Sequence, residues 1–199
     1  MKITVVAMGK IGLPLAVQFA RKGHTVIGAD VNQWTVDEIN AKREPFPGEA
    51  YLQEYLAEEV SAGRLKATTD TTSAVAESDA VVVVVPLFVN EEGIPDFGWM
   101  DAATEAIGKG LKKGTLVSYE TTLPVGTTRN RFAPALEKIS GLKAGVDFDL
   151  VFSPERVFTG RVFADLRKYP KLVGGINEDR KSTRLNSSHV SEFRMPSSA

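Results

Sequence analysis

The first thirty residues constrain the fold most, because they read as a strand, a glycine-containing turn, a helix, a second strand and an acid. Residues 3–7 form a short apolar run, long enough for one buried strand. The turn at 7–12, AMGKIG, leads into a segment with apolar residues at helical spacing, which ends at Gly23. Residues 25–29 return as a second strand, and Asp30 follows at its carboxyl end. This order is typical of a βαβ unit that binds a dinucleotide.

Each residue type in this unit has a chemical reason to stand where it does. Gly9 lets the backbone approach a pyrophosphate, and Gly12 lets the helix pack closely against the strand. The helix N-terminus offers free N–H groups and a partial positive charge to the phosphates. Asp30 can accept hydrogen bonds from an adenosine ribose and would repel a 2′-phosphate, which favours NAD over NADP. Ala7 stands where the first glycine is usual, so a flavodoxin-like or other doubly wound fold that uses the turn structurally is the alternative.

Strands and helices alternate along the rest of the chain. The clearest strand is the run at 80–85, which is apolar on both faces, as expected of a buried parallel strand. Further strands are predicted at 65–69, 115–120, 148–152 and 171–173, helices at 36–41, 51–62, 71–77, 99–111 and from about 128 to 139, and a long loop at 87–98. The alternation predicts an α/β fold with a doubly wound parallel sheet, Rossmann-like. Ligands of such sheets bind outside the carboxyl ends of the strands, so the residues that follow them should line one crevice.

Composition excludes several classes of function. The chain has 199 residues, 43% of them hydrophobic, and a net charge of −1, which suits one domain with a sizeable core. The near-zero charge gives no reason to expect nucleic acid or an anionic membrane as partner. No apolar run is long enough to span a membrane and no signal peptide is visible, so a cytoplasmic location is the default expectation. The absence of cysteine excludes disulfides, cysteine-ligated zinc and a thiol nucleophile, and we expect no metal site.

The composition changes abruptly after Glu178. Residues 179–199, DRKSTRLNSSHVSEFRMPSSA, show almost no apolar periodicity. One interpretation is a disordered, serine-rich tail. The interpretation that we favour is that parts of this segment resemble the in-frame translation of a short-read sequencing adapter and are non-native. We therefore assign residues 1–178 to the domain and give His189 no role as ligand or base; His24 is expected in an exposed turn.

Four motifs resemble the UDP-glucose/GDP-mannose dehydrogenase family, the nucleotide-sugar 6-dehydrogenases, in its N-terminal NAD-binding domain. They are GKIGLP at 9–14, GADVN at 28–32, ETTLPVGTT at 120–128 and SPERV at 153–157. The resemblance covers residues 1–178 in order. SPERV, where other members have NPEFL, is similar to the branch that oxidises UDP-N-acetylhexosamines.

The resemblance implies an activity and a set of site residues. Family members oxidise C6 of the sugar of a nucleotide sugar from alcohol to carboxylate, reducing two NAD in succession, with a thioester on a cysteine in the second step. The implied cofactor-binding residues are Gly9, Lys10, Ile11, Gly12, Asp30, Pro86, Thr121 and Thr122. The implied catalytic residues are Glu155, as acid/base group, and Thr122, which would help to place the hydrolytic water. The implied substrate-binding residues are Phe152, Ser153, Pro154, Glu155 and Arg156.

Several of these residues also have a purely structural interpretation. Lys10 could be a solvated turn residue, and Thr121 and Thr122 could cap the turn before Pro124. Glu155 could be a carboxylate at a helix start, and Arg156 a partner in an ion pair. Glu120 is placed at the border of the site.

The chain also departs from the family pattern. Pro86-Leu87-Phe88 stands where Pro-Thr-Pro is usual, so a hydroxyl contact to the cofactor is lost. The family's central lysine and asparagine, its cysteine motif and its nucleotide-sugar domain would follow Glu178, and without a cysteine this chain cannot form the thioester. We therefore expect it to bind NAD without completing the reaction, and the parent enzyme to be a homo-oligomer that pairs through the missing central helix. The competing hypotheses are an S-adenosylmethionine-dependent methyltransferase and a non-catalytic interaction module.

Overall fold

The fold begins, as the sequence predicts, with a strand, a glycine turn and a helix; a computed structural model describes residues 1–176 of the chain. The strands are β1 (Lys2–Val6), β2 (Thr25–Ala29), β3 (Leu65–Thr68), β4 (Ala80–Val83), β5 (Phe88–Val89), β6 (Pro95–Asp96), β7 (Leu116–Tyr119), β8 (Asp149–Phe152) and β9 (Gly174–Gly175). The helices are α1 (Gly12–Arg21), α2 (Gln33–Asn40), α3 (Leu52–Ser61), α4 (Thr71–Glu77), α5 (Gly98–Gly110), α6 (Ala133–Ser140) and α7 (Val162–Lys168). A π-helical turn, Thr128–Phe132, runs directly into α6. The predicted boundary at Glu178 and the segment 179–199 lie outside the described residues.

Within residues 1–176, the main sheet has seven strands in the order β3-β2-β1-β4-β7-β8-β9. The chain starts in the middle at β1, moves outward to β3, crosses back to β4 on the other side of β1 and moves outward again. This is the doubly wound α/β arrangement that the alternation of elements predicts. The strands from β3 to β8 in this order are parallel, whereas β9 pairs antiparallel with β8. The reversal of direction lies between β1 and β4, where folds of this kind bind ligands.

The apolar run of β4 divides its side chains between two cores. Successive side chains of a strand point to opposite faces of the sheet. Ala80 and Val82 belong to a cluster with residues of α1 and α3, whereas Val81 and Val83 belong to a second cluster with residues of α5 and α6. Because both faces of β4 are covered, the strand is apolar throughout instead of alternating.

The carboxyl ends of the central strands lie level with one another. In the pairing register Ala29 lies opposite Val6, Val6 opposite Val83, Val83 opposite Tyr119, and Tyr119 opposite Phe152. The residues that follow these ends therefore leave the sheet along one edge. They are Asp30, Ala7, Val84, Glu120 and Ser153.

Four local predictions are wrong. The last strand is Gly174–Gly175, not 171–173, and the segment 87–98 contains the antiparallel hairpin of β5 and β6. Helix α7 was not predicted; its first N–H groups are capped by Glu49, which accepts from the nitrogens of Val162 at 2.9 Å and Phe163 at 3.2 Å. His24 is only 7% exposed instead of standing in an exposed turn.

Ala7 adopts a backbone conformation that usually belongs to glycine. Its φ is 76°, in the left-handed region, and its nitrogen donates to the carbonyl of Ala29 at 2.8 Å. A Cβ in this region costs about 1–2 kcal/mol, whereas glycine costs about 0.5–1 kcal/mol of extra chain entropy. The sequence motif and the backbone thus agree that this position suits glycine.

We expect Ala7→Gly to raise the free energy of unfolding by roughly 0.5–1 kcal/mol, because the strain relieved exceeds the entropy lost. Urea denaturation followed by circular dichroism measures this change. The matched control is Ala62→Gly, an exposed position with φ −78°, where the same substitution should lower stability. Lower stability of Ala7→Gly would contradict the strained turn.

Candidate functional site

Asp30, at the end of β2, is bound to the glycine turn. Its Oδ2 accepts a hydrogen bond from the nitrogen of Met8 at 2.7 Å, and its Oδ1 accepts one from the nitrogen of Asn32 at 2.9 Å. Asn32 in turn caps α2, since its side chain accepts from the nitrogen of Trp34 at 3.0 Å. The carboxylate is half-buried and has a fixed orientation at the edge of the sheet. Two of its roughly four lone-pair sites are engaged, which leaves acceptor capacity for a ribose.

The two glycines of the turn have different surroundings. A Cβ built at Gly12 would lie 1.8 Å from the carbonyl oxygen of Ala7 and 2.9 Å from Cγ2 of Val84, so only glycine fits there. A Cβ built at Gly9 would meet nothing within 4 Å. Gly12 therefore allows the close packing of α1 on the turn, and Gly9 presents bare backbone to open space. Helix α1 begins at Gly12, and a helix N-terminus suits a phosphate group; Pro14 has no N–H and the nitrogen of Leu13 donates to the carbonyl of Gly9 at 3.0 Å, so Gly12 supplies the N–H at this end.

A cavity of about 170 Å³ lies beside the turn, bounded on one side by Gly9 and Lys10. The segments 46–49 and 159–160 bound it on the other side. These two segments are held together because Glu49 caps α7. The exposed Lys10 thus stands at the rim of a preformed space next to the helix N-terminus.

The ends of β4 and β7 are joined by a threonine. Thr121 Oγ1 donates to the carbonyl of Val85 at 2.6 Å, so this hydroxyl fastens the loop after β7 to the residue before Pro86. Pro86 and Thr122 are both exposed. Of the two threonines, Thr121 has a structural contact, and Thr122 presents its side chain to the surface.

Glu155 belongs to a buried cluster of one cation and two carboxylates. Lys171 Nζ donates to Glu155 Oε2 at 2.5 Å and to Glu120 Oε2 at 2.6 Å. The Glu155 nitrogen donates to the carbonyl of Glu120 at 2.8 Å, which joins the loops after β7 and β8. Lys171 is 7% exposed and Glu120 is 4% exposed. From the sequence alone, Glu120 is placed at the border of the site and no role is predicted for Lys171. The signal in the sequence is a lysine next to an apolar stretch.

The charges of this cluster shift the pKa values of its members. Burial raises the pKa of Glu120 to about 7, against the opposing effect of Lys171. The pKa of Lys171 is raised, because the attraction of two carboxylates outweighs the burial that opposes it. One ammonium group can offset only one of two buried carboxylates, so Glu120 binds a proton more readily than an ordinary glutamate.

The remaining predicted substrate residues lie in the loop after β8. Ser153 is 2% exposed, and its Oγ has no hydrogen-bond partner among residues 1–176. Phe152 and Pro154 are half-buried. Arg156 is exposed, with its guanidinium carbon 5.7 Å from the ring centre of Tyr169. The structure therefore places all the predicted site residues on the carboxyl edge of the sheet, while their binding roles remain predictions.

No cluster of histidine and acidic side chains between residues 1 and 176 is suited to hold a metal ion. Over the same range no helix combines the length and apolarity needed to cross a bilayer.

The sequence matches known proteins along most of its length. The family model described as UDP-glucose/GDP-mannose dehydrogenase family, NAD binding domain, matches residues 1–190, which extends past the predicted boundary at Glu178. UDP-N-acetyl-D-mannosamine dehydrogenase of Pyrococcus horikoshii is 34% identical over 183 residues, covering 89% of this chain and 42% of that protein. UDP-N-acetyl-D-glucosamine 6-dehydrogenase of Pseudomonas aeruginosa is 38% identical over 175 residues, covering 88% of this chain and 40% of that protein.

Solved structures agree with this match. The UDP-D-ManNAc dehydrogenase of Pyrococcus horikoshii superposes with a TM-score of 0.87 at 32% identity, covering 97% of this chain and 45% of that one. A ternary complex of GDP-mannose dehydrogenase from Pseudomonas aeruginosa superposes with a TM-score of 0.88 at 28% identity, covering 97% of this chain and 44% of that one.

These comparisons do not support the methyltransferase or the interaction-module hypothesis. The chain spans about two fifths of the length of the curated relatives described above, 42% and 40% of them. The part that it spans is the dinucleotide-binding part, with the glycine turn, Asp30 and the SPERV loop in place. The chain belongs to the UDP-glucose/GDP-mannose dehydrogenase family, as its NAD-binding domain.

Proposed function

We propose that the chain is the cofactor-binding part of a nucleotide-sugar 6-dehydrogenase. The complete enzyme would oxidise C6 of a UDP-sugar to a uronate in two NAD-dependent steps, with a UDP-N-acetylhexosamine as the substrate. The names of the relatives from Pyrococcus horikoshii and Pseudomonas aeruginosa support this substrate class. The observation that carries the proposal is the Asp30 carboxylate, fixed against a glycine turn at the start of α1.

The residues at the turn fit an NAD molecule. Gly9, Lys10, Ile11 and Gly12 would hold the pyrophosphate, because the backbone is bare at Gly9 and α1 begins at Gly12, with its positive end toward the turn. Asp30 would hold the adenosine ribose through its remaining lone pairs. Pro86, Thr121 and Thr122, at the ends of β4 and β7, would lie toward the nicotinamide. When bound, NAD supplies the hydride acceptor for the oxidation.

The loop after β8 would face the sugar. Glu155 would act as the acid/base group near C6, and Thr122 would help to place the hydrolytic water. Phe152, Ser153 and Pro154 would contact substrate, and the fork of Arg156 suits a phosphate or carboxylate. The chain has no cysteine, so the thioester step would depend on residues that are not in this sequence.

The extent of the domain and its setting are also proposals. We propose residues 1–178 as the NAD-binding domain and residues 179–199 as a segment that is not part of it. The cytoplasmic location and the homo-oligomeric assembly of the complete enzyme stay predictions from the sequence.

Isothermal titration calorimetry with NAD+, NADP+ and S-adenosylmethionine tests this proposal. We expect the chain to bind NAD+, and NADP+ at least roughly tenfold more weakly, because the Asp30 carboxylate repels a 2′-phosphate. Binding of S-adenosylmethionine alone would refute the dehydrogenase assignment.

Asp30→Ala should weaken NAD+ binding and also lower stability by about 1–3 kcal/mol, because the nitrogens of Met8 and Asn32 lose their acceptor. Calorimetry and urea denaturation measure the two effects. Asp37→Ala is the matched control, since Asp37 is an exposed acid of α2 whose side chain accepts from Gln33 Nε2 at 2.8 Å. Equal affinity of wild type and Asp30→Ala would show that Asp30 does not hold the ribose.

A further inference from the structure

Lys171 lies between two carboxylates that come from neighbouring strands. Glu120 is the first residue after β7, and Glu155 is the third residue after β8. We propose that Lys171 is a positioning residue that fixes the Glu155 carboxylate, with Glu120 anchoring the lysine from the other side. The inference rests on the proposed function, in which Glu155 is the acid/base group.

Both oxygens of Glu155 are held. Oε1 accepts from the nitrogen of Arg156 at 2.7 Å, and Oε2 accepts from Lys171 Nζ at 2.5 Å. A glutamate side chain loses up to about 1.5–2 kcal/mol of rotamer entropy when it is fixed in one conformation. An acid/base group must lie within hydrogen-bond reach of the proton that it transfers, so fixing it in advance favours the reaction.

Packing alone does not hold Glu155 in place. A cavity of about 30 Å³ lies beside Glu155 and Lys171, and Leu15 and Phe19 of α1 line its other side. A cavity of this size can admit about one water molecule, so the packing on this side of the glutamate is incomplete. Its orientation therefore depends on the ammonium group and on the nitrogen of Arg156.

Glu120 holds the ammonium group of Lys171 in place, so that the lysine does not move together with the Glu155 side chain. It is buried, and its second oxygen, Oε1, accepts from Ser118 Oγ at 3.3 Å. An ammonium group bound to two carboxylates on two loops has one favourable position. Without it, Glu120 would bind a proton still more readily, and the half-buried Glu155 would lose the donor that holds its Oε2.

The backbone brings Lys171 to this position. Gly174 pairs with Phe152 and Gly175 pairs with Val151, so the segment after α7 lies against β8. A purely structural ion pair would tie this segment to the sheet and nothing more. A positioning role requires in addition that the Glu155 side chain adopt more than one conformation when the ammonium is removed.

Carbon-13 NMR of glutamate carboxyl groups in the full chain distinguishes the two roles. The Glu155 signal is assigned by its loss in Glu155→Gln. We expect Lys171→Met, which keeps the length and removes the charge, to shift and broaden the Glu155 signal, and Lys171→Arg to restore it. If the Glu155 signal shifts in Lys171→Met but stays as narrow as in wild type, the lost charge alone accounts for the change, the role is structural and the proposal is overturned.

A second variant and a separate binding measurement complete the test. If Lys171→Met fails to fold, Glu120→Gln takes its place, because the lysine then loses one anchor and the Glu155 signal should move. An unchanged Glu155 signal in that variant would also overturn the proposal. Calorimetry of the wild-type chain with NAD+ tests the proposed function separately, since Glu155 can be fixed by Lys171 whether or not the cofactor binds.

Discussion

Gly12→Ala is expected to abolish measurable NAD+ binding and to lower the free energy of unfolding by about 3 kcal/mol, at the upper end of the cost of overpacking. The added Cβ would stand 1.8 Å from the carbonyl oxygen of Ala7. That carbonyl cannot easily turn away, because it shares a peptide plane with the nitrogen of Met8, which donates to Asp30 Oδ2 at 2.7 Å. The start of α1 would have to move, and the N–H groups that are proposed to bind phosphate would move with it. Urea denaturation and calorimetry measure the two losses.

Gly9→Ala is the matched control, because its Cβ would meet nothing within 4 Å. We expect its stability to stay within about 0.5 kcal/mol of wild type. NAD+ affinity should still fall, by roughly tenfold or more, because the methyl group occupies the face that the pyrophosphate approaches. Wild-type affinity in Gly9→Ala would refute the assigned approach, and wild-type stability in Gly12→Ala would refute the close contact at the turn.

We expect the free energy of unfolding of the wild-type chain to fall as the pH rises, and we expect Glu120→Gln to remove this fall. Burial raises the pKa of Glu120 to about 7 in the folded chain, compared with 4.5 for an ordinary glutamate. Between these values the folded state keeps a proton that the unfolded state releases, so the free energy of unfolding falls as the pH rises. The fall reaches at most about 3 kcal/mol and is complete above about pH 7. The raised pKa of Lys171 lies above 10.5, so the lysine contributes a constant amount in this window.

Urea denaturation at about pH 5 and about pH 8 measures this difference. Other groups that titrate in the window contribute to both proteins and cancel when wild type and Glu120→Gln are compared. Glu77→Gln is the control, since Glu77 is an exposed glutamate paired with Lys2 at 3.6 Å, and it should keep the wild-type pH dependence. The same fall in Glu120→Gln as in wild type would show that Glu120 is not the group responsible.

Features with local causes could be predicted from the sequence. The run at 80–85 is apolar because β4, which lies within it, is covered on both faces. At the turn, glycine is required at position 12, where a Cβ would collide with the carbonyl oxygen of Ala7. Asp30 follows β2 directly, so its place at the sheet edge follows from the end of one strand. The doubly wound fold follows from the alternation of strands and helices along the chain.

Features that depend on distant partners could not be predicted. The residue at the start of helix α7 provides no capping side chain. The cap is Glu49, which accepts from the nitrogen of Val162 and lies 113 residues before it in the chain. Strand β9 consists of two glycines, which carry no strand signal, and it exists through its pairing with β8. Lys171 reaches the site because α7 and β9 are both in place.

The two threonines after Glu120 show the same limit within one motif. Their sequence context is nearly identical, and either could cap a turn or contact a cofactor. Thr121 donates to the carbonyl of Val85, two residues after the neighbouring strand β4, whereas Thr122 is exposed. The difference depends on the strand order, which a linear motif does not contain.

The antiparallel strand β9 has a consequence for the motion of the site. It is two residues long and lies at the outer edge of the sheet in the described part of the chain, where local opening needs little free energy. Lys171 lies three residues before β9, so the pairing of β9 with β8 and the two ion pairs of Lys171 hold one short segment against the sheet. An opening of the sheet margin that took Lys171 with it would release Glu120 and Glu155 together.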